Sequence, residues 1–211
     1  MLLDPRFVPV KSVERAVAAV DGGAMRVTFH RLPDHQWADV LIQRDDGVVY
    51  RMHAGPVTAH APHDLVHFTV EDALGMSDGI WGAIAGGVVF RSMTHVSGRR
   101  PPHAAERSAE LIRANRDRLQ RAELIGGFVE RAAAVPDADL DRLAAQQGAD
   151  PLNGADKVAV RRAVAALRAA QETWAALPVG AELTLTWPRH RRLAPLKRKV
   201  QRRAPTLRRA S

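Results

Sequence analysis

The chain predicts an α+β fold: a small antiparallel sheet with helices packed on one face. Three observations lead there. Strand-like alternation is concentrated in residues 25–53, it returns once at 182–187, and the long stretch between carries apolar residues at helical spacing.

Residues 1–23 form a lead-in, in which Val13 to Val20 fits a short helix stopped by Asp21-Gly22-Gly23. Met25 to His30 alternates as a strand with one face on a core, and Trp37 to Gln43, rich in Val, Leu and Ile, is a second strand. Arg44-Asp45-Asp46-Gly47 is a tight turn, because Asp-Gly tolerates the positive φ angles that a short hairpin needs. Val48 to His53 returns as the third strand, before Gly55 and Pro56 break the pattern.

Pro62 suits the first turn of a helix, where its missing N–H costs nothing, and Asp64 complements the positive end of the helix dipole. This helix runs to Leu74 and Gly75 stops it. Met76 to Gly79 is a turn, and Ile80 to Val89 is a buried helix or turn whose glycines (79, 82, 86, 87) mark close backbone packing. Arg99-Arg100-Pro101-Pro102 is a linker. From His103 to about Ala134, Leu111, Ile112, Leu119, Leu124, Ile125 and Phe128 recur on one side of a helix that Gly126-Gly127 is expected to kink. A short helix follows Pro136, covering Asp137 to Gln147. Ala155 to Ala176 is another, capped by Asn153-Gly154 and ended by Pro178 and Gly180. Glu182 to Trp187 is the final strand by alternation and threonine content, and it is expected to dock beside the early hairpin.

Of the ten Lys and Arg residues after Trp187, none is matched by an Asp or Glu, so the net charge of +8 belongs to that end of the chain. Residues 1–187 carry 21 basic against 23 acidic groups. The expected organisation is therefore one α+β domain over 1–187 and a basic, disordered tail over 188–211. There is no cysteine among the 211 residues, which excludes disulfides, thiolate metal sites and cysteine nucleophiles. No apolar run approaches the ~20 residues of a membrane-spanning helix, and the first ten residues lack a signal core. The expectation is a soluble, cytoplasmic protein.

Pro62-His63-Asp64-Leu65-Val66-His67-Phe68 carries the chemistry. Residues four apart on a helix lie one above the other, so His63 and His67 present two imidazoles to one divalent ion, of which zinc is the natural choice. Asp64 beside them is the candidate general base. Glu71 continues the four-residue spacing, but it stands ~12 Å along the axis from His63. It is therefore expected to hydrogen-bond His67 and fix its tautomer. The third ligand is expected from His53, His60, His95, His103 or Glu106. The same residues also fit a packing role, with both histidines flanking the apolar stripe of Val66, Val70 and Leu74.

The five residues His63 to His67 resemble the His-Glu-x-x-His helix of zinc-dependent metallopeptidases, with the shorter Asp64 where that motif has Glu. The wider stretch from Pro62 through Gly79-Ile80-Trp81-Gly82 to Gly87 is similar to a group of small actinobacterial proteins, a likeness that implies no particular activity.

The glycines at 79–87 lack the Gly-Lys-Ser/Thr ending of a phosphate loop, and no serine stands in a nucleophile elbow. The leading expectation is a metal-dependent hydrolase acting on a small-molecule or peptide substrate through His63 and His67. The alternative is a non-catalytic protein that engages nucleic acid or an anionic surface through Arg191, Arg192, Lys197, Arg198, Lys199, Arg202 and Arg203. No aromatic residue follows Trp187, so that contact would be electrostatic and sequence-independent.

Overall fold

Met25, Val27 and Phe29 alternate with polar neighbours along β1 (Met25–Arg31), and all three are buried. β2 (Ala38–Gln43) runs back against it, with Phe29 opposite Val40 and Val27 opposite Ile42. The structure, a computed structural model, describes residues 24–33, 38–53, 60–146 and 157–196. The helix expected at Val13 to Val20, the start of the second strand at Trp37 and the Asn153-Gly154 cap lie outside these residues.

The Asp46-Gly47 turn forms as the sequence predicts. Gly47 adopts φ +78°, its N–H donates to the Arg44 carbonyl, and the Asp46 carboxylate accepts the Val48 N–H at 3.1 Å. β3 (Val49–His53) completes the hairpin. A further strand, β4 (Met93–Ser97), pairs with β3 at the sheet edge. It was not anticipated, because only Met93 of its five residues is buried and no alternation survives. The strand Glu182–Trp187, numbered β5, pairs antiparallel with β1, placing Trp187 opposite Met25 and Leu183 opposite Phe29. The sheet order is β4-β3-β2-β1-β5, antiparallel throughout.

The helices are α1 (His63–Leu74), α2 (Ile80–Ala85), α3 (Ala104–Ala114), α4 (Arg116–Ala133), α5 (Leu140–Gln146, after one 3-10 turn at Asp137–Asp139) and α6 (Lys157–Ala176). α1 ends at Gly75 in the left-handed conformation, with the Met76 N–H closing onto the Glu71 carbonyl. The long helix expected from His103 to Ala134 is two. Asn115 divides it, its side-chain amide donating to the Leu111 carbonyl at 2.8 Å. Gly126-Gly127 does not interrupt α4, which continues to Ala133.

α1, α4 and α6 pack on one another, and their apolar side chains share one core with the inward face of the sheet. An aromatic knot ties the layers. Phe68 of α1 meets Phe29 edge-on at 6.3 Å, Trp81 at 5.3 Å and Trp187 at 5.3 Å between ring centroids, each pair contributing about 0.5–1.5 kcal/mol beyond its buried area. Arg31 of β1 donates to the carbonyls of Trp174 and Ala175, capping the end of α6. Arg168 does the same for α4 through the Ala133 carbonyl at 3.0 Å.

The folded chain also continues past Trp187, where the sequence suggested that a free tail begins. The Trp187 indole N–H donates to the Arg191 carbonyl, and Leu193 is buried against Ala83, Val88, Leu111 and Leu119 while its N–H donates to Gly82 at 2.8 Å. Among the described residues no helix is long and apolar enough to cross a membrane.

Candidate metal centre

Helix α1 begins with His63 at its first position, so the four-residue spacing to His67 is one turn of regular helix. Their ring centroids lie 4.6 Å apart with the planes inclined at 56°. Both rings turn the same atom toward one acceptor. His67 Nε2 is 3.2 Å and His63 Nε2 3.8 Å from Oε2 of Glu123, on α4. One ligand atom from each of His63, His67 and Glu123 lies within 4.8 Å of the others, so the group could hold a metal ion. In a tetrahedral site with ligands at ~2.1 Å, ligand atoms stand ~3.4 Å apart, and the two measured separations bracket that value.

Glu123 supplies what the sequence left open, and it was not among the residues named for the purpose. His53 instead lies 3.8 Å from Asp39, His95 is tied to the Gly98 carbonyl, and His103 precedes α3 with φ 55°. Glu106 sits in the first turn of α3, and His60 is exposed. The sequence carries one faint signal for Glu123: it stands three residues before Gly126 on the same helix face, and a glycine inside a helix often marks a close approach.

That approach is real. The His67 side chain is 3% exposed and its ring lies against the backbone of Gly126. His63 and Glu123 are 43% and 52% exposed, so the group is open to water on one side and sealed on the other. Behind His67, Nδ1 is buried without a hydrogen-bond partner and faces Oε1 of Glu71 at 3.6 Å. Glu71 is itself buried, and its two oxygens accept the N–H groups of Ile80 at 2.9 Å and Trp81 at 3.0 Å. It therefore faces His67 across a gap longer than the hydrogen bond the sequence led one to expect, because both its oxygens are turned to the start of α2, which it anchors. Asp64 lies in the first turn of α1 beside His63. Its backbone carbonyl accepts the Trp81 indole N–H at 3.1 Å, and its carboxylate is not one of the three grouped ligands.

Burial alone would push the His67 imidazole down, but the carboxylates of Glu123 and Glu71, one toward each nitrogen, overcome it and hold the ring up to about 9. Glu123 is lowered by its contact with His67, against the opposing effect of its own partial burial. Without metal, His67 is thus an imidazolium between two carboxylates. A metal ion held by this group would displace the Nε2 proton of His67, and Glu71 would then stand behind Nδ1 to orient the ring.

The basic residues at the other end divide into two groups. Arg191 donates to the Asp72 carbonyl at 2.6 Å and pairs with the Asp72 carboxylate, and Arg192 grips both oxygens of Asp45 at 2.6 Å. Both charges are paired within the fold. Lys197, Arg198, Lys199, Arg202 and Arg203 lie outside the described residues. No protein-family model, curated protein or solved structure matches this chain.

Proposed function

We propose that the protein is a zinc-dependent hydrolase whose metal is held by His63, His67 and Glu123. The convergence of three ligand atoms from two helices within 4.8 Å carries the reading. Two histidines and one glutamate leave a fourth coordination position, the pattern of catalytic rather than structural zinc. The half exposure of His63 and Glu123 supports a position that water could reach. Zinc, when bound, supplies Lewis acidity and makes hydroxide accessible at neutral pH. The protein residues do the rest. Glu71 orients the His67 ring, Gly126 lets it approach α4, and Asp64 is the nearest sequence neighbour able to take a proton from water. The substrate class in keeping with an open site is a small molecule or an extended peptide.

Elemental analysis of untagged protein after zinc loading and desalting tests this. The expected result is close to one zinc per chain, lost in both H67A and E123A, together with zinc-dependent cleavage of at least one member of an ester, phosphoester and peptide panel. A wild-type protein that takes up no zinc removes the metal reading. Zinc binding without cleavage removes the hydrolase reading and keeps the site.

One observation favours a second reading. His67 and Glu123 already satisfy each other at 3.2 Å, so the pair also serves as a strut between α1 and α4. In that case the H67A/E123A double-mutant cycle shows coupling of about 1–3 kcal/mol with no zinc uptake.

A further inference from the structure

The Cε1 corner of the His67 ring points at Gly126. A β-carbon at Gly126 would stand 2.7 Å from Cε1 and 3.1 Å from each ring nitrogen, whereas one at the adjacent Gly127 would meet nothing closer than the tip of Arg131 at 3.4 Å. Glycine is disfavoured in a helix interior. Of this pair, therefore, only Gly126 has a steric reason to be there, and that reason is the imidazole. Cε1 lies between the two nitrogens, so pressure at that corner tilts the ring and disturbs both of its outward relations, Nδ1 toward Glu71 at 3.6 Å and Nε2 toward Glu123 at 3.2 Å. The Glu71 carboxylate is seated in the same manner, since a β-carbon at Gly79 would overlap it.

We propose that Gly126 is the positioning residue of His67: its missing side chain sets the ring angle that brings Nε2 into register with Glu123 and His63. The importance of that register rests on the metal reading above, whereas the seating of the ring does not.

The experiment compares G126A with G127A in the full chain. Zinc affinity is expected to fall at least tenfold in G126A and to stay within twofold of wild type in G127A. In metal-free protein, the His67 ring nitrogen resonances move in G126A and hold still in G127A. Unchanged zinc affinity or unmoved ring signals in G126A overturn the proposal. If wild type itself takes up no zinc, the metal reading has failed separately, and the ring signals still decide the seating. Should G126A not fold, the H67A/G126A double variant decides: recovery of folding shows that the clash is with the imidazole, and continued failure shows that Gly126 serves only backbone packing and overturns the assignment.

Discussion

Glu71 and Trp81 are joined by a 3.0 Å hydrogen bond in which a buried carboxylate accepts a backbone N–H from the first turn of the neighbouring helix. The other oxygen holds Ile80. Glu71 thereby fixes where α2 starts, and the same group lies behind His67. Replacing it with glutamine leaves one oxygen for two donors. Unfolding in urea is expected to show E71Q destabilised by about 1–3 kcal/mol. Its zinc affinity, read by competition with a chelator dye, falls roughly 10–100-fold.

Metal-free protein loses stability as pH rises through the alkaline range. The folded His67 is held up to about 9, above the ordinary imidazole value of 6.5. The stabilisation is therefore fully present below about pH 6.5 and is lost as pH climbs through about 9. The neutral imidazole that remains no longer carries a charge for the two carboxylates to hold. Equilibrium unfolding across pH 6–10 is expected to show a decline on the order of 1–3 kcal/mol, with half-exposed Glu123 accounting for the lower end. In E123Q the decline is smaller. A wild-type profile that is flat over this interval contradicts the assignment.

On the proposed zinc reading, the metal would compete with that proton. Between pH 6.5 and 8.5 the apparent zinc affinity rises by about tenfold per pH unit, and calorimetry in buffers of different ionisation enthalpy finds close to one proton released. The H63A variant binds zinc more weakly but unfolds within about 0.5 kcal/mol of wild type, because its side chain is 43% exposed and loses little packing.

The described residues after Trp187, 188–196, are structural. Leu193 is 4% exposed in a small apolar cluster, so L193A is expected to cost about 2–4 kcal/mol. Truncation after Trp187 removes that side chain together with the Arg191–Asp72 and Arg192–Asp45 pairs. Thermal unfolding is expected to show a lower midpoint for the truncated chain than for L193A.

The strands at 25–31, 38–43, 49–53 and 182–187 and the helix at 63–74 stand close to where periodicity and turn chemistry placed them. Each depends on neighbours a few residues away: the alternation of Met25, Val27 and Phe29, the Asp46-Gly47 turn, the Pro62 opening and the Gly75 stop. Half of the candidate site was legible for the same reason, since two histidines four apart face one way on any regular helix. The other half was not. Glu123 resembles any solvent-facing acid on an amphipathic helix, and its role depends on where α4 crosses α1.

The sequence by itself determined the α+β class, the His63/His67 face with Glu71 one turn further on, and the concentration of basic charge after Trp187, because these follow from short-range spacing and composition. The tertiary structure decided that Glu123 joins the two histidines, that Gly126 lies against the His67 ring inside an unbroken helix, that β4 forms one edge of the sheet and that Arg191 and Arg192 pair with Asp72 and Asp45. Those outcomes are set by contacts between segments distant in the chain. Such contacts exist only once the burial of the shared apolar core has fixed how the helices cross.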